Sequence, residues 1–178
     1  SSATAEDLEE ASFAGQQETF LNVKGNKELL EKVTRGFASL FTSRATYYRE
    51  NQGFKHMDTK LSVIVQKMIS ADKSGVIFSK DPSHENNNVI IEAVFGLGEG
   101  IVSGRITPDR YIVSSDLKIL DTKIANKKIA VTYSGTENVD VKLKEELSNS
   151  QVLKESEIKK LSEIALELEE HYKKPQDI

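Results

Sequence analysis

The 178-residue sequence contains no cysteine, which excludes a disulfide framework, a thiolate metal site and a thiol nucleophile. Its apolar runs are a few residues long, as in Val89-Ile90-Ile91. None approaches the roughly 20 residues of a membrane-spanning helix or supplies the core of a signal peptide, so no membrane partner and a cytoplasmic location are expected. Histidine is scarce: His56, His84 and His171 are scattered and do not make a zinc ligand set. An excess of positive charge is also missing. The net charge is −4 and the pI about 5.5, which argues against nucleic acid as the main partner. Residues 51–150 carry 13 acids and 13 bases, the pattern of a solvated globular surface. There is no internal repeat and no low-complexity tract beyond Asn86-Asn87-Asn88. What is present is enough chain for one domain with a core.

Apolar periodicity divides the chain into helix, strands and helix. Asn26 is placed to cap a helix with Glu28 in its first turn. Leu30, Val33, Phe37, Leu40, Arg44 and Tyr48 then step by three and four, predicting one helix that ends before Gly53. Gly36 inside it costs about 1 kcal/mol against alanine, which implies close packing at that point. From Leu61 the period becomes two, predicting a strand through Val63 and Val65 that pairs with Gly75–Phe78 across the turn Ala71–Ser74. Further strands are expected at Val89–Val94, Arg110–Val113, Ile119–Asn126 and Ile129–Tyr133. Ile158, Leu161, Ala165, Leu168 and Tyr172 mark a closing helix stopped by Pro175. The fold class this predicts is α+β, a mostly antiparallel sheet with flanking helices.

Several residues could carry chemistry. The opening Ser1-Ser2-Ala3-Thr4 and the turn Gly15-Gln16-Gln17, with Thr19 after it, combine small side chains with hydroxyls. Such a run lets backbone N–H groups approach a phosphate, although short stretches of this composition are more often plain loops, here one leading into a strand at Phe20–Val23. Arg44 shares the apolar stripe, where a buried guanidinium needs an anion. Arg49, about 140° away around the helix, reads equally well as one half of a surface salt bridge. Glu92 and Glu99 flank Gly96-Leu97-Gly98 and could hold Mg²⁺ through oxygen, or pair with Lys or Arg. The spacing Gly96-x-Gly98-x-Gly100 is not that of a dinucleotide fingerprint, and no βαβ unit surrounds it.

The order of these blocks resembles one family. Ser1–Asn22 is similar to SSATAEDLxxASFAGQQxTxLN of the phosphoenolpyruvate synthase (pyruvate, water dikinase) nucleotide-binding domain. Ser39–Arg49 resembles its SLFTxRAxxYR helix and Val63–Ile69 its VxVQxMV strand. Ser74–Ser79 with Asp81-Pro82 resembles SGVxFxxDP. Gly96–Glu99, Gly104 and Pro108-Asp109 resemble GLGExVVxGxxxPD, and Pro175–Ile178 the start of PQDIEW. Pyruvate, phosphate dikinases and rifampicin phosphotransferases share the domain; the first block favours the synthase or rifampicin branch.

The resemblance implies an ATP-grasp fold that binds ATP with Mg²⁺. It implies that residues 1–178 are one partial domain, the C-terminal portion of that module, cut from a longer enzyme at both ends. Gln66 would face the adenine, and Gly15 and Thr19 the phosphates, with Ser2 and Thr4 in the same loop. Asp177 would reach the metal–phosphate end, though so near the terminus it is expected to be loosely held. The parent enzyme would phosphorylate a carrier histidine in another domain and pass the group to pyruvate, in the direction of gluconeogenesis. No catalytic residue is expected within the chain, and no turnover without the missing lobe and the phosphohistidine domain. The alternatives are the nucleotide module of a rifampicin-type phosphotransferase and a non-catalytic interaction domain of the same fold. All versions of the ATP reading require the opening segment and the Gln66 segment to flank one cleft.

Overall fold

The computed structural model describes residues 18–55, 57–83, 86–135 and 137–178, together with the backbone of 2–3, 7–8 and 11–12. The chain divides into two units, Ser1–Ile69 and Ser70–Ile178.

The first unit runs β1 (Ser2–Ala3), β2 (Asp7–Leu8), β3 (Ala11–Ser12), α1 (Gly25–Ala38), a 3-10 turn (Ser39–Phe41), α2 (Ser43–Asn51) and β4 (Leu61–Ser62). β2 pairs with β3, and β1 with β4, both antiparallel. The single helix expected from the periodicity is therefore two. Thr42 breaks it: its backbone is extended and its side chain accepts a hydrogen bond from Ala45 N, starting a new helix. At the front, α1 begins one residue before Asn26, and the Lys24 N–H donates to Glu28 Oε2 at 2.9 Å. The buried stripe also shifts from the expected one. Gly36, Ser39 and Leu40 point inward, whereas Leu30 and Phe37 are exposed. Gly36 sits where the core is closest, since a Cβ there would lie 3.2 Å from Val63 Cγ2.

The expected strand at Leu61–Gln66 shortens to β4, and residues 63–69 belong to no strand. Its predicted partner Gly75–Phe78 pairs elsewhere, in the second unit. That unit contains β5 (Lys73–Phe78), β6 (Val89–Phe95), α3 (Glu99–Val102), β7 (Asp109–Val113), β8 (Ile119–Lys123), β9 (Ile129–Ser134), β10 (Glu137–Lys142), α4 (Glu145–Ser148) and α5 (Glu155–Tyr172). Strands β5-β6-β7-β8 form an antiparallel sheet in chain order, and β9-β10 a separate hairpin.

Alternation along the strands decides the faces. Ile77, Val89, Ile91, Ala93, Tyr111 and Val113 point to one side, where Ile158 and Ala165 of α5 and Val152-Leu153 complete the main core. Val94, on the other side, packs with Leu97, Ile106 and Val131 beneath the β9 strand. The stripe of α5 stops short of Tyr172, which is exposed, and Lys173 ends the helix in the left-handed conformation. Strand β8 ends at Lys123 rather than Asn126 because the Ala125 N–H turns to the Asp109 carboxylate, 2.9 Å away. The result is an α+β arrangement with a mostly antiparallel sheet. Among the described residues no helix is long and apolar enough to cross a membrane.

Candidate functional site

In the first unit, Gly15 and Thr4 lie outside the described residues, as does the side chain of Ser2. The backbone of Ser2 is nonetheless placed: it pairs with Ser62, and Ala3 with Leu61. The opening segment therefore runs beside the start of the segment that carries Gln66. Thr19 is exposed, on a stretch held against α1. Glu18 pairs with Arg35 at 3.6 Å, and the Phe20 ring lies under Arg35 and Lys32, at 4.9 and 5.3 Å from its centroid. No strand forms at Phe20–Val23, because Asn22 takes a positive φ of 59°.

Gln66 is exposed and extends from β4 outside any sheet, with Val65 and Ile64 exposed beside it. Arg44 is exposed on α2, not buried on the stripe. The break at Thr42 rotates α2 so that Arg49, with Ala45, takes the inward position and is fully buried. The burial argument for a guanidinium in this helix thus belongs to Arg49.

In the second unit the three acidic candidates have different fates. Glu99 is fully engaged: one carboxylate oxygen accepts from Arg105 Nη2 at 3.0 Å and the other from Asn138 Nδ2. Arg105 in turn holds Asp140 at 2.8 Å and Ser103 Oγ at 3.0 Å. Asp177 is not loose. Residues 176–178 run along the outer edge of β5, with Ile77 and Ile178 exchanging both backbone hydrogen bonds at 2.9 Å and the Ser79 N–H donating to Gln176 O at 2.9 Å.

Residues opposite one another in a ladder share a face. Asp177 lies beside Phe78, itself opposite Ile90. In the next row Val76, Glu92, Arg110 and Lys123 are neighbours across four strands. Asp177 and Glu92 therefore occupy one face, their Cα atoms on the order of 12 Å apart from two strand spacings and one pleat. Periodicity alone does not single out Arg110, because alternation along β7 marks its apolar positions Tyr111 and Val113 and leaves a polar neighbour unassigned.

Among the described residues no group of three or more His, Asp or Glu side chains is close enough to enclose a metal. A cavity of about 850 Å³ is lined by Leu117, Lys118, Thr122, Gln151, Lys154 and Lys159 among others and includes no candidate. Two of its lysines are already partnered, Lys118 with Asp116 and Lys159 with Glu155. Those partners hold both carboxyls below their usual range, chiefly through the lysine hydrogen bonds.

Comparison with known proteins bears on the whole chain. The family model described as pyruvate phosphate dikinase, AMP/ATP-binding domain, matches residues 1–178. A probable phosphoenolpyruvate synthase of Archaeoglobus fulgidus is 51% identical over 179 residues, covering all of this chain and 24% of that protein. A probable phosphoenolpyruvate synthase of Methanocaldococcus jannaschii is 49% identical, again over all of this chain but 15% of its own length. The phosphoenolpyruvate synthase of Pyrococcus furiosus is 48% identical over all of this chain and 23% of its own. The chain thus spans a quarter or less of these relatives.

Proposed function

Because the chain belongs to the family of the pyruvate phosphate dikinase AMP/ATP-binding domain, we propose that it is an ATP-binding portion of a dikinase of the phosphoenolpyruvate synthase type. The observation that carries the reading is the match over residues 1–178, together with relatives at about half identity throughout. The activity proposed for the longer protein is transfer of a phosphoryl group from ATP to a carrier histidine in another domain and then to pyruvate. Its products are phosphoenolpyruvate, AMP and phosphate. The domain arrangement proposed is a single partial ATP-grasp module, working with a further lobe and a phosphohistidine domain elsewhere in the protein, in the cytoplasm.

In this reading Gln66, exposed on an extended segment, offers an amide and adjacent backbone to the adenine edge. Gly15, Thr19, Ser2 and Thr4 supply backbone N–H and hydroxyl donors to the phosphates, with Arg44 as a cationic partner free to reach solvent. Support comes from the pairing of β1 with β4, which brings the opening segment and the Gln66 segment side by side.

For Mg²⁺ the donor chemistry fits: Glu92 and Asp177 make no side-chain hydrogen bond or ion pair with a described residue, and carboxylate oxygen is the ligand this ion prefers. Glu99 is less suited, because Arg105 and Asn138 already occupy it. Bound with ATP, the ion would neutralise charge on the polyphosphate. The protein's own contribution is to orient the nucleotide and hold its charge in place.

Calorimetric titration of the full-length protein with ATP·Mg²⁺ tests the reading. Saturable binding that Gln66→Ala weakens by roughly tenfold supports it, the loss of about one good hydrogen-bonded contact. Absence of binding by the intact protein overturns it in favour of a non-catalytic interaction module.

A further inference from the structure

The sheet face that carries Glu92 and Asp177 holds a second feature that the sequence did not announce. We propose that Arg110 is a polyphosphate-binding residue, working across that face with Glu92; the proposal rests on the ATP reading above. Glu92 and Arg110 are directly opposite in the β6–β7 ladder, so their Cβ atoms are about 5 Å apart. That is the arrangement from which a glutamate and an arginine ordinarily close into an ion pair. They do not close: no hydrogen bond or ion pair joins either side chain to a described residue, and Arg110 Nε is buried without an acceptor. Elsewhere the same unit closes its charge pairs firmly, Lys73 on Glu157 at 2.9 Å and Arg105 on Asp140 at 2.8 Å.

An open carboxylate beside an open guanidinium, with Asp177 along the face and Lys123 as the next neighbour, presents both signs of charge a few ångströms apart. A metal-chelated polyphosphate has the complementary arrangement, cation and anionic oxygens side by side. The planar guanidinium would donate to phosphate oxygen through its fork of N–H groups, and the carboxylate would turn to the metal. Lys123 would add charge without a fixed geometry.

The test is calorimetry on the full-length protein, with ATP·Mg²⁺, Mg²⁺-tripolyphosphate and AMP as titrants and Arg110→Gln and Arg110→Lys as variants. We expect Arg110→Gln to weaken ATP·Mg²⁺ and tripolyphosphate by about tenfold or more, as for a lost charged hydrogen bond. AMP affinity should be unchanged, which also shows that the variant is folded. Arg110→Lys should recover part of the loss and flatten the salt dependence less than the glutamine does. Arg110→Gln binding ATP·Mg²⁺ within twofold of the parent overturns the assignment while leaving the ATP reading intact. So does an equal loss for AMP, which would mark Arg110 as structural. No ATP binding by the unaltered protein overturns both.

Discussion

Asp109 and Lys127 form an ion pair in which both side chains are shut off from solvent. The aspartate is also a junction. Its Oδ1 accepts from the Ala125 N–H, and its Oδ2 from the Val152 N–H at 2.8 Å and the Tyr111 hydroxyl at 3.2 Å. Lys127 donates in addition to Ala125 O and lies over the Phe95 ring. The pair thus ties the start of β7 to the segment before β9 and to the entry of α5. Removing one partner leaves a desolvated charge behind, so Lys127→Met should cost about 3–5 kcal/mol. Urea unfolding of the second unit's signal measures it; a loss under about 1 kcal/mol would show that the pair contributes little once its desolvation is counted.

Tyr111 belongs to the same network and gives it a pH signature. Burial, the dominant cause, with the nearby Asp109 charge adding to it, pushes the phenol up to about 12. The unfolded chain titrates near 10, so the stabilising effect is complete below that value and is lost as pH rises from 10 toward 12. Stability measured by denaturant midpoint should fall across that window, and Tyr111→Phe should remove the fall. At neutral pH the same variant should be weaker by about 1 kcal/mol, the lost hydrogen bond to Asp109. A parent protein whose midpoint is flat from 10 to 12 would contradict this.

Legibility in the sequence followed the length of the regular pattern. β6, β7 and α5 were readable because Val89–Phe95 and the Ile158–Ala165 stripe bury one continuous apolar face, and β9 because Ile129, Val131 and Tyr133 alternate onto the second core cluster. The α1–α2 break was not, because Thr42 falls between the stripe positions Leu40 and Arg44 and leaves the stepping intact while its hydroxyl acts as a cap. The rotation it introduces exchanged the burial of Arg44 and Arg49. The hairpin expected between Leu61 and Phe78 failed because alternation says which residues can be strand but not what they pair with. β10 was missed because Glu137–Lys142 is charged on its open face. Of the candidate site, the motifs name Gln66, Thr19, Arg44, Glu99 and Asp177 but carry no information on their partners, and Glu92 and Arg110 belong to no motif block. The Glu99 carboxylate is spent on Arg105 and Asn138, and Asp177 is held at a sheet edge by backbone pairing; both are tertiary contacts that no local pattern encodes.

Gly96 shows that the glycine turn after β6 is built for close approach. Its φ is +80°, and a Cβ would lie 2.2 Å from the Val131 carbonyl oxygen, the atom that accepts from the Leu97 N–H. Gly96→Ala therefore meets both backbone strain and a collision with main chain, and should cost on the order of 3 kcal/mol. Gly104 is the control. It too has a positive φ, +68°, but nothing lies within 4 Å of its Cβ position, so Gly104→Ala should cost about 1–2 kcal/mol. Equal losses at the two sites, by thermal or urea unfolding, would assign the whole effect to the dihedral and none to the packing.

Glu157 anchors the first turn of α5. Its carboxylate accepts from the Lys154 N–H at 2.6 Å and from Lys73 Nζ of β5 at 2.9 Å, and these two, the backbone bond foremost, hold it below its usual 4.5. A group whose pKa is depressed by folding adds stability that is complete above its unfolded value and disappears as pH falls through the folded one. Glu157→Gln should therefore lower the urea midpoint by a constant amount from neutral pH down to about 5. Below 4.5 the two midpoints should converge as the parent's carboxylate takes up a proton. Lys73→Met should show a smaller loss over the same range, because the capping bond to Lys154 survives it. If Glu157→Gln and the parent stay equally far apart at pH 3, the interaction is one of shape rather than charge, and the carboxylate has no special part in fastening α5 to the sheet.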